Sequence, residues 1–277
     1  MTCLRDLTQD ELQNYTINTP FPGAEDPPLY MFGPTLDYDF ISDYSIKQYA
    51  EGKFVHVPAI AGDDSDEGTV FSPSNTSTIG ESNTFLKNQF PRLAPALFKR
   101  INALFPLSSA PTSPPTAEQA QYFRQVAWTY GEIRYICPTI YVSGVYANFS
   151  VPNWNYRWNV QDPETVAEGL GVTHTVEVNA IWGPEYVNGG APESYEAGGV
   201  NNAIVAVTQA YWTSFVRSYD PNTFRLEGSP RWEEWGTGES AFQRLKFETN
   251  VTAMETVDAA QRERCAYLSS IAVGLGQ

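Results

Sequence analysis

At 277 residues, 42% hydrophobic and 14% aromatic, the chain has enough apolar side chain to build a core, which excludes wholesale disorder. Its 17 basic and 32 acidic side chains leave a net charge of −15, a poor match for a phosphate backbone, so nucleic-acid binding is not expected. No run of about 18 apolar residues occurs, and Met1-Thr2-Cys3-Leu4-Arg5-Asp6 carries no apolar core, so neither a membrane span nor a signal peptide is expected.

In chain order, residues 1–18 read as the end of a helix followed by a short turn, with Thr8-x-x-Glu11 as a capping box. Residues 19–38 are a proline-rich loop. A helix is expected over Ile41–Glu51, then a short buried strand from Phe54 to Ala61 that ends in the acidic turn Gly62-Asp63-Asp64-Ser65-Asp66-Glu67-Gly68. Two helices are expected within 83–104, a Ser/Pro connector over Ser108–Pro115, and a long helical stretch from a Thr116 cap to Gly144. Trp154, Tyr156 and Trp158 alternate along a strand to Val160. After a polar turn holding His174 come a short helix at 176–183 and a longer one at 199–217. Residues 223–249 read as irregular, with an edge strand at Arg244–Phe247, and 254–273 as a closing helix. Strands alternating with helices give an α/β fold class, with only two or three strands and one bare sheet edge.

Three cysteines leave the pairing open: Cys137 can pair with Cys265, with Cys3 left over. Four Asn-x-Ser/Thr triplets, at Asn14, Asn75, Asn148 and Asn250, are glycosylation candidates that together lean toward a secretory history; four unused triplets give the same pattern.

Two stretches carry the chemistry. The acidic turn follows a buried strand, where α/β sheets place catalytic groups. It offers Asp63, Asp64, Asp66 and Glu67, lacks the full calcium-loop pattern, and reads equally as a solvated acidic loop. The second stretch is Gly171-Val172-Thr173-His174-Thr175-Val176-Glu177. A histidine in such a turn can take a proton from a hydroxyl if a carboxylate fixes its tautomer, and can equally be an idle surface residue. Carboxylate first and histidine later is the order of the last two members of an α/β-hydrolase triad. His56, between Val55 and Val57, reads as a packed or half-exposed strand residue. The nucleophile elbow Gly-x-Ser-x-Gly is missing: Gly238-Glu239-Ser240-Ala241-Phe242 and Gly80-Glu81-Ser82-Asn83-Thr84 both lack the second glycine. No zinc spacing and no phosphate loop occur, so no metal and no cofactor are expected.

Taken in order, Cys3-Leu4-Arg5, Gly33 through Ile41, Val57-Pro58 through Thr69, Tyr130-Gly131, Cys137-Pro138-Thr139, Gly171 through Glu177, Tyr211 through Phe215 and Asp220-Pro221-Asn222 resemble the C-terminal half of type-B carboxylesterases. That group includes secreted fungal lipases and cholinesterases. The resemblance implies the C-terminal part of an α/β-hydrolase fold, an incomplete sheet with helices on both faces. Residues 1–277 are then the C-terminal portion of a carboxylesterase type B domain, without the N-terminal half and its nucleophile elbow. It gives Glu67 the role of triad acid and His174 that of general base, and it implies a Cys137–Cys265 disulfide. It further implies a carboxylic-ester substrate, a secreted parent family and a missing N-terminal half as partner. The functional expectation is a fragment of a serine ester hydrolase that supplies acid and base but no nucleophile and is inactive alone. The alternatives are a non-catalytic binding or adhesion-type relative and an esterase completed by a second chain.

Overall fold

A computed structural model describes residues 2–30, 32–111 and 116–277. Helices α1 (Thr2–Arg5), α2 (Gln9–Asn18) and α3 (Ser45–Ala50) precede strand β1 (Ala59–Asp64). Helices α4 (Ile79–Gln89), α5 (Phe98–Leu104), α6 (Phe123–Gly131) and α7 (Cys137–Asn148) lead to β2 (Asn153–Asn159). Between β2 and β3 (Gln243–Glu248) lie α8 (Pro163–Ala167), α9 (Val178–Trp182) and α10 (Asn202–Ser218). Strand β4 (Val251–Thr256) and helices α11 (Ala259–Ser270) and α12 (Ala272–Leu275) close the chain. The helix starts are chemically marked. Thr8 and Glu11 form the capping box of α2, and Thr78 with Glu81 forms another on α4. Asp162 caps α8, and Asp258 caps α11.

Among the described residues the sheet has four strands in the order β1-β2-β3-β4. The first three run parallel, and β4 is antiparallel to β3 across a two-residue connection at Thr249-Asn250. Parallel strands need both faces covered, and both are. On one face Trp154 meets Phe215 at 5.9 Å and Tyr156 meets Trp212 at 5.3 Å, both from α10, with buried Trp232 and Phe247 beside them. On the other face Asn155 donates to the Ser143 hydroxyl of α7 at 3.0 Å. Each fully buried aromatic ring removes about 150–250 Å² from water, so the Trp154-Tyr156-Trp158 run is the main anchor of the sheet. Cys137 at the head of α7 is bonded to Cys265 on α11, 128 residues later. In the chain-entropy picture such a closure contributes roughly 5 kcal/mol. Cys3 is free and exposed.

Several elements differ from the sequence expectation for local reasons. The first strand is Ala59–Asp64, not Phe54–Ala61. Pro58 has no N–H for a ladder, Phe54 turns in against Tyr146 at 4.7 Å, and Val55, His56 and Val57 are exposed. The acidic pair Asp63-Asp64 is therefore strand, not turn. Helix α3 starts at Ser45 because Asp37 takes the Ile41 N–H and Asp43 takes the Tyr44 N–H. The long helix starts at Phe123 because Ala120 and Tyr122 donate their N–H groups to Ser74 and Thr76. Of the connector expected at Ser108–Pro115, residues 112–115 lie outside the described residues. The supposed edge strand around Arg244 is internal, and β4, not expected at all, forms the edge and displaces the start of the last helix to Ala259. Arg244 is buried, its charge offset by Glu255 and Asp63, and it donates a further hydrogen bond to Gln261.

Candidate active site

Strand β1 delivers the acidic turn at its C-terminal end, and the segment after parallel β2 delivers the His174 loop beside it. Two reciprocal bonds lock the pieces together. The Asp66 N–H donates to the Val172 carbonyl at 2.9 Å, and the Val172 N–H donates to Asp66 Oδ2 at 2.9 Å. Arg124 of α6 holds the other oxygen of Asp66 at 3.2 Å. Gly171 has φ +74°, and a Cβ there would meet Asp66 Oδ2 at 2.2 Å, so the loop can approach the turn only through glycine. Gly68 lets the turn press on α6: a Cβ would sit 1.9 Å from the Ala127 carbonyl oxygen.

Within this frame Glu67 and His174 meet. The His174 Nδ1–H donates to Glu67 Oε2 at 2.5 Å, and Glu67 Oε1 accepts the Asp64 N–H at 2.8 Å. The Glu67 carboxylate is buried, while the His174 side chain is 29% exposed, which leaves the far edge of the ring open. The hydrogen bond to Glu67 raises the imidazole pKa above its ordinary value, against the opposing effect of burial. Tyr135 packs on the ring with centroids 4.4 Å apart, and Phe71 meets it edge-on at 5.2 Å. Tyr135 lies in a π-helical turn, Glu132–Ile136, inserted between α6 and α7. Such turns are frequent at functional sites because they re-aim one side chain. Neither aromatic was among the sequence candidates; the only signal was their proximity to Glu67 and Cys137 in sequence, since the π register is invisible to a 3.6-residue pattern.

The remaining candidates fall elsewhere. His56 is exposed in the loop before β1, with Nε2 3.2 Å from the Gly52 carbonyl. Ser82 is buried on α4 and donates to Gln125 Oε1 at 2.8 Å; Ser240 is exposed and donates to the Thr237 carbonyl. Among the described residues no hydroxyl or thiol hydrogen-bonds His174 Nε2. The asparagines of all four triplets, Asn14, Asn75, Asn148 and Asn250, are exposed. No helix is long and apolar enough to cross a membrane, among the described residues.

A buried carboxylate holding one imidazole nitrogen, with the other nitrogen turned outward, is an arrangement able to accept a proton from a hydroxyl and stabilise the imidazolium that results. Known proteins resemble the chain over most of its length. The family model described as carboxylesterase family matches residues 1–268. Secreted lipase 4 of Gibberella zeae is 25% identical over 270 residues, covering 96% of this chain and 46% of that protein. The inactive carboxylesterase-like protein VdtD of Byssochlamys spectabilis is 24% identical over 240 residues, covering 84% of this chain and 41% of that protein. The crystal structure of Aspergillus niger EstA superposes with a TM-score of 0.88 at 33% identity, covering 99% of this chain and 52% of that one. The chain thus spans about half the length of the relatives it matches.

Proposed function

Because the chain belongs to the carboxylesterase family and has the α/β-hydrolase fold, we propose that it is the acid–base half of a serine ester hydrolase, with Glu67 as the triad acid and His174 as the general base. The observation that carries this reading is the 2.5 Å contact between Glu67 Oε2 and His174 Nδ1 at the C-terminal ends of parallel strands. Glu67 holds the ring in the tautomer whose Nε2 is a free acceptor. A hydroxyl placed against Nε2 gives up its proton as its oxygen attacks an ester carbonyl, and the imidazolium then protonates the departing alkoxide. The attacking oxygen and the oxyanion donors come from a polypeptide segment outside these 277 residues. In support, the sequence contains no Gly-x-Ser-x-Gly, and Ser82 and Ser240 are engaged elsewhere. The substrate is a carboxylic ester, and no cofactor enters. The exposed Asn14, Asn75, Asn148 and Asn250 suit a secreted, glycosylated parent protein.

An activity assay on two forms tests this. The purified chain is expected to give no p-nitrophenyl acetate turnover above buffer. Joined to the portion of A. niger EstA that it does not match, it is expected to turn the ester over, and His174→Ala is expected to cut kcat by about 10²–10⁴-fold. Turnover by the isolated chain that survives repurification and vanishes in His174→Ala contradicts an outside nucleophile. An unchanged kcat in the His174→Ala fusion removes the base. A second reading, a non-catalytic binding or adhesion-type relative, is favoured by the likeness to the inactive VdtD; a folded but inert fusion supports it.

A further inference from the structure

Directly behind the His174 loop lies a second carboxyl pair that the ester-hydrolysis reading does not use. Asp64 is the last residue of β1 and is 2% exposed. Its Oδ2 accepts the Thr175 N–H at 2.8 Å. Glu177, three residues after His174, accepts the Tyr156 hydroxyl on Oε1 at 3.2 Å. Asp64 thus grips the loop two residues before Glu177, and the Glu177 carboxyl, through its charge and hydrogen bonding, acts to raise the Asp64 carboxyl. The two oxygens left over, Asp64 Oδ1 and Glu177 Oε2, are buried and have no donor among the described residues. Two ionised carboxylates cannot bond to each other, and both would be left unsatisfied at a cost of about 1–3 kcal/mol each or more. A single proton between them satisfies both atoms at once.

We propose that Asp64 and Glu177 share one proton, Asp64 Oδ1–H donating to Glu177 Oε2, and that this acid–carboxylate pair positions the loop that carries His174. The proposal rests on the reading of His174 as the general base only for its consequence, not for its geometry. Thr175, directly after His174, has φ +67°, a conformation that a β-branched residue adopts only when its surroundings impose it. The grip of Asp64 on the Thr175 N–H is such an imposition. Burial, then the facing Glu177 carboxylate, hold the Asp64 carboxyl well above the usual carboxylate range, in line with the proton residing on Asp64. The groups that face the pair are Glu67 from the turn, Tyr156 from β2, His174 on its own loop and Tyr195 from the turn at Glu193–Tyr195; Asp63 lies on the opposite side of β1. Every acidic neighbour disfavours a second negative charge. When the shared proton leaves for solvent at alkaline pH, two negative charges repel across the anchor, the Thr175 N–H loses its fixed acceptor, and the His174 ring loses its orientation. Asp64 and Glu177 are therefore positioning residues: they act on the base through the loop.

The test uses the full chain, labelled with ¹³C and ¹⁵N, and follows the Asp64 carboxyl carbon, the Thr175 amide and the His174 ring from about pH 5 to 10. Asp64 is expected to show a protonated carboxyl signal at neutral pH. On raising the pH, its ionisation is expected to move the Thr175 and His174 resonances in one common transition. Asp64→Asn keeps a donor toward Glu177 and cannot ionise, so the neutral-pH position of the Thr175 amide is expected to persist and the alkaline transition to vanish. Asp64 and Glu177 both ionising in the ordinary carboxylate range, or an unchanged alkaline transition in Asp64→Asn, overturns the shared proton. If Asp64→Asn does not fold, the wild-type carboxyl signal alone decides. None of these readouts requires turnover, so an inert fusion with EstA would leave the result standing, and ionised carboxyls would leave the Glu67–His174 base intact.

Discussion

At the scale of single residues, the electrostatics of His174 follow from one contact. Its imidazole pKa is raised by the Glu67 hydrogen bond, so the proton is held more tightly in the folded state than in the unfolded one. The resulting stabilisation is complete below the unfolded value of about 6.5 and is lost as pH rises through the higher folded value. The fraction of ring able to act as a base changes in the opposite sense and grows with pH. Replacing Glu67 with Gln removes the charge and leaves only a neutral acceptor. The His174 titration followed by NMR is expected to move to lower pH, and the acid-side gain in stability to shrink. A ring that titrates unchanged in Glu67→Gln would show that the pair does not interact in solution. Asp63 follows the same logic with the same sign. Burial outweighs the Arg244 charge and pushes its carboxyl up to about 7, so its contribution to stability is complete below the ordinary value of 3.8 and is lost as pH rises to about 7.

At the scale of elements, the site depends on how closely the acidic turn approaches α6. Gly68 faces the Ala127 carbonyl oxygen where a methyl group has no room, and backbone on both sides prevents a cheap adjustment. Gly68→Ala is expected to cost about 1–3 kcal/mol in denaturant unfolding and to lengthen the Glu67–His174 contact, read as a loss of the raised His174 titration. Full stability with an unshifted ring would mean that the turn does not seat on α6. Glu132 has a related part at the head of the π turn. Arg264 of α11 holds both of its oxygens, at 2.6 and 2.7 Å, so the π turn that aims Tyr135 at His174 is tied to the same helix as the Cys137–Cys265 bond. Buried Arg–Glu pairs add little net stability, but losing one partner strands a charge, which makes such a pair effective at fixing register.

At the scale of the molecule, the surface is larger than a chain of this mass ordinarily shows. The accessible area is 14772 Å², against about 11,900 Å² expected for a folded monomer of 30.8 kDa. Part of the excess is apolar: Phe40, Phe32, Val55, Val57, Tyr15 and Ile17 are all exposed. In addition, β1 pairs only with β2 among the described residues, which leaves its other edge without a strand partner there. The isolated chain is expected to self-associate or to bind hydrophobic dyes, read by light scattering and dye fluorescence. A monomer that melts sharply without dye binding would contradict this expectation.

The linear order of residues was enough for the Thr8–Glu11 capping box and the alternating aromatic strand. Each is written within a few neighbouring positions, and the family resemblance supplied the link across the 107 residues between acid and base. The ends of β1, the existence of β4, the interior place of Arg244 and the aim of Tyr135 were not legible in that order. Each is settled by partners brought from far along the chain: Trp158 and Tyr156 against β1, Glu255 and Asp63 against Arg244, Arg264 against Glu132. Local propensity is a fraction of a kcal/mol per residue, whereas burying an arginine or an acid commits several, so the long-range partner wins wherever the two disagree. The same reason hides the Asp64–Glu177 pair from a reading of the acidic stretch: only packing reveals which of its four carboxyls faces an arginine, which the imidazole, and which another acid.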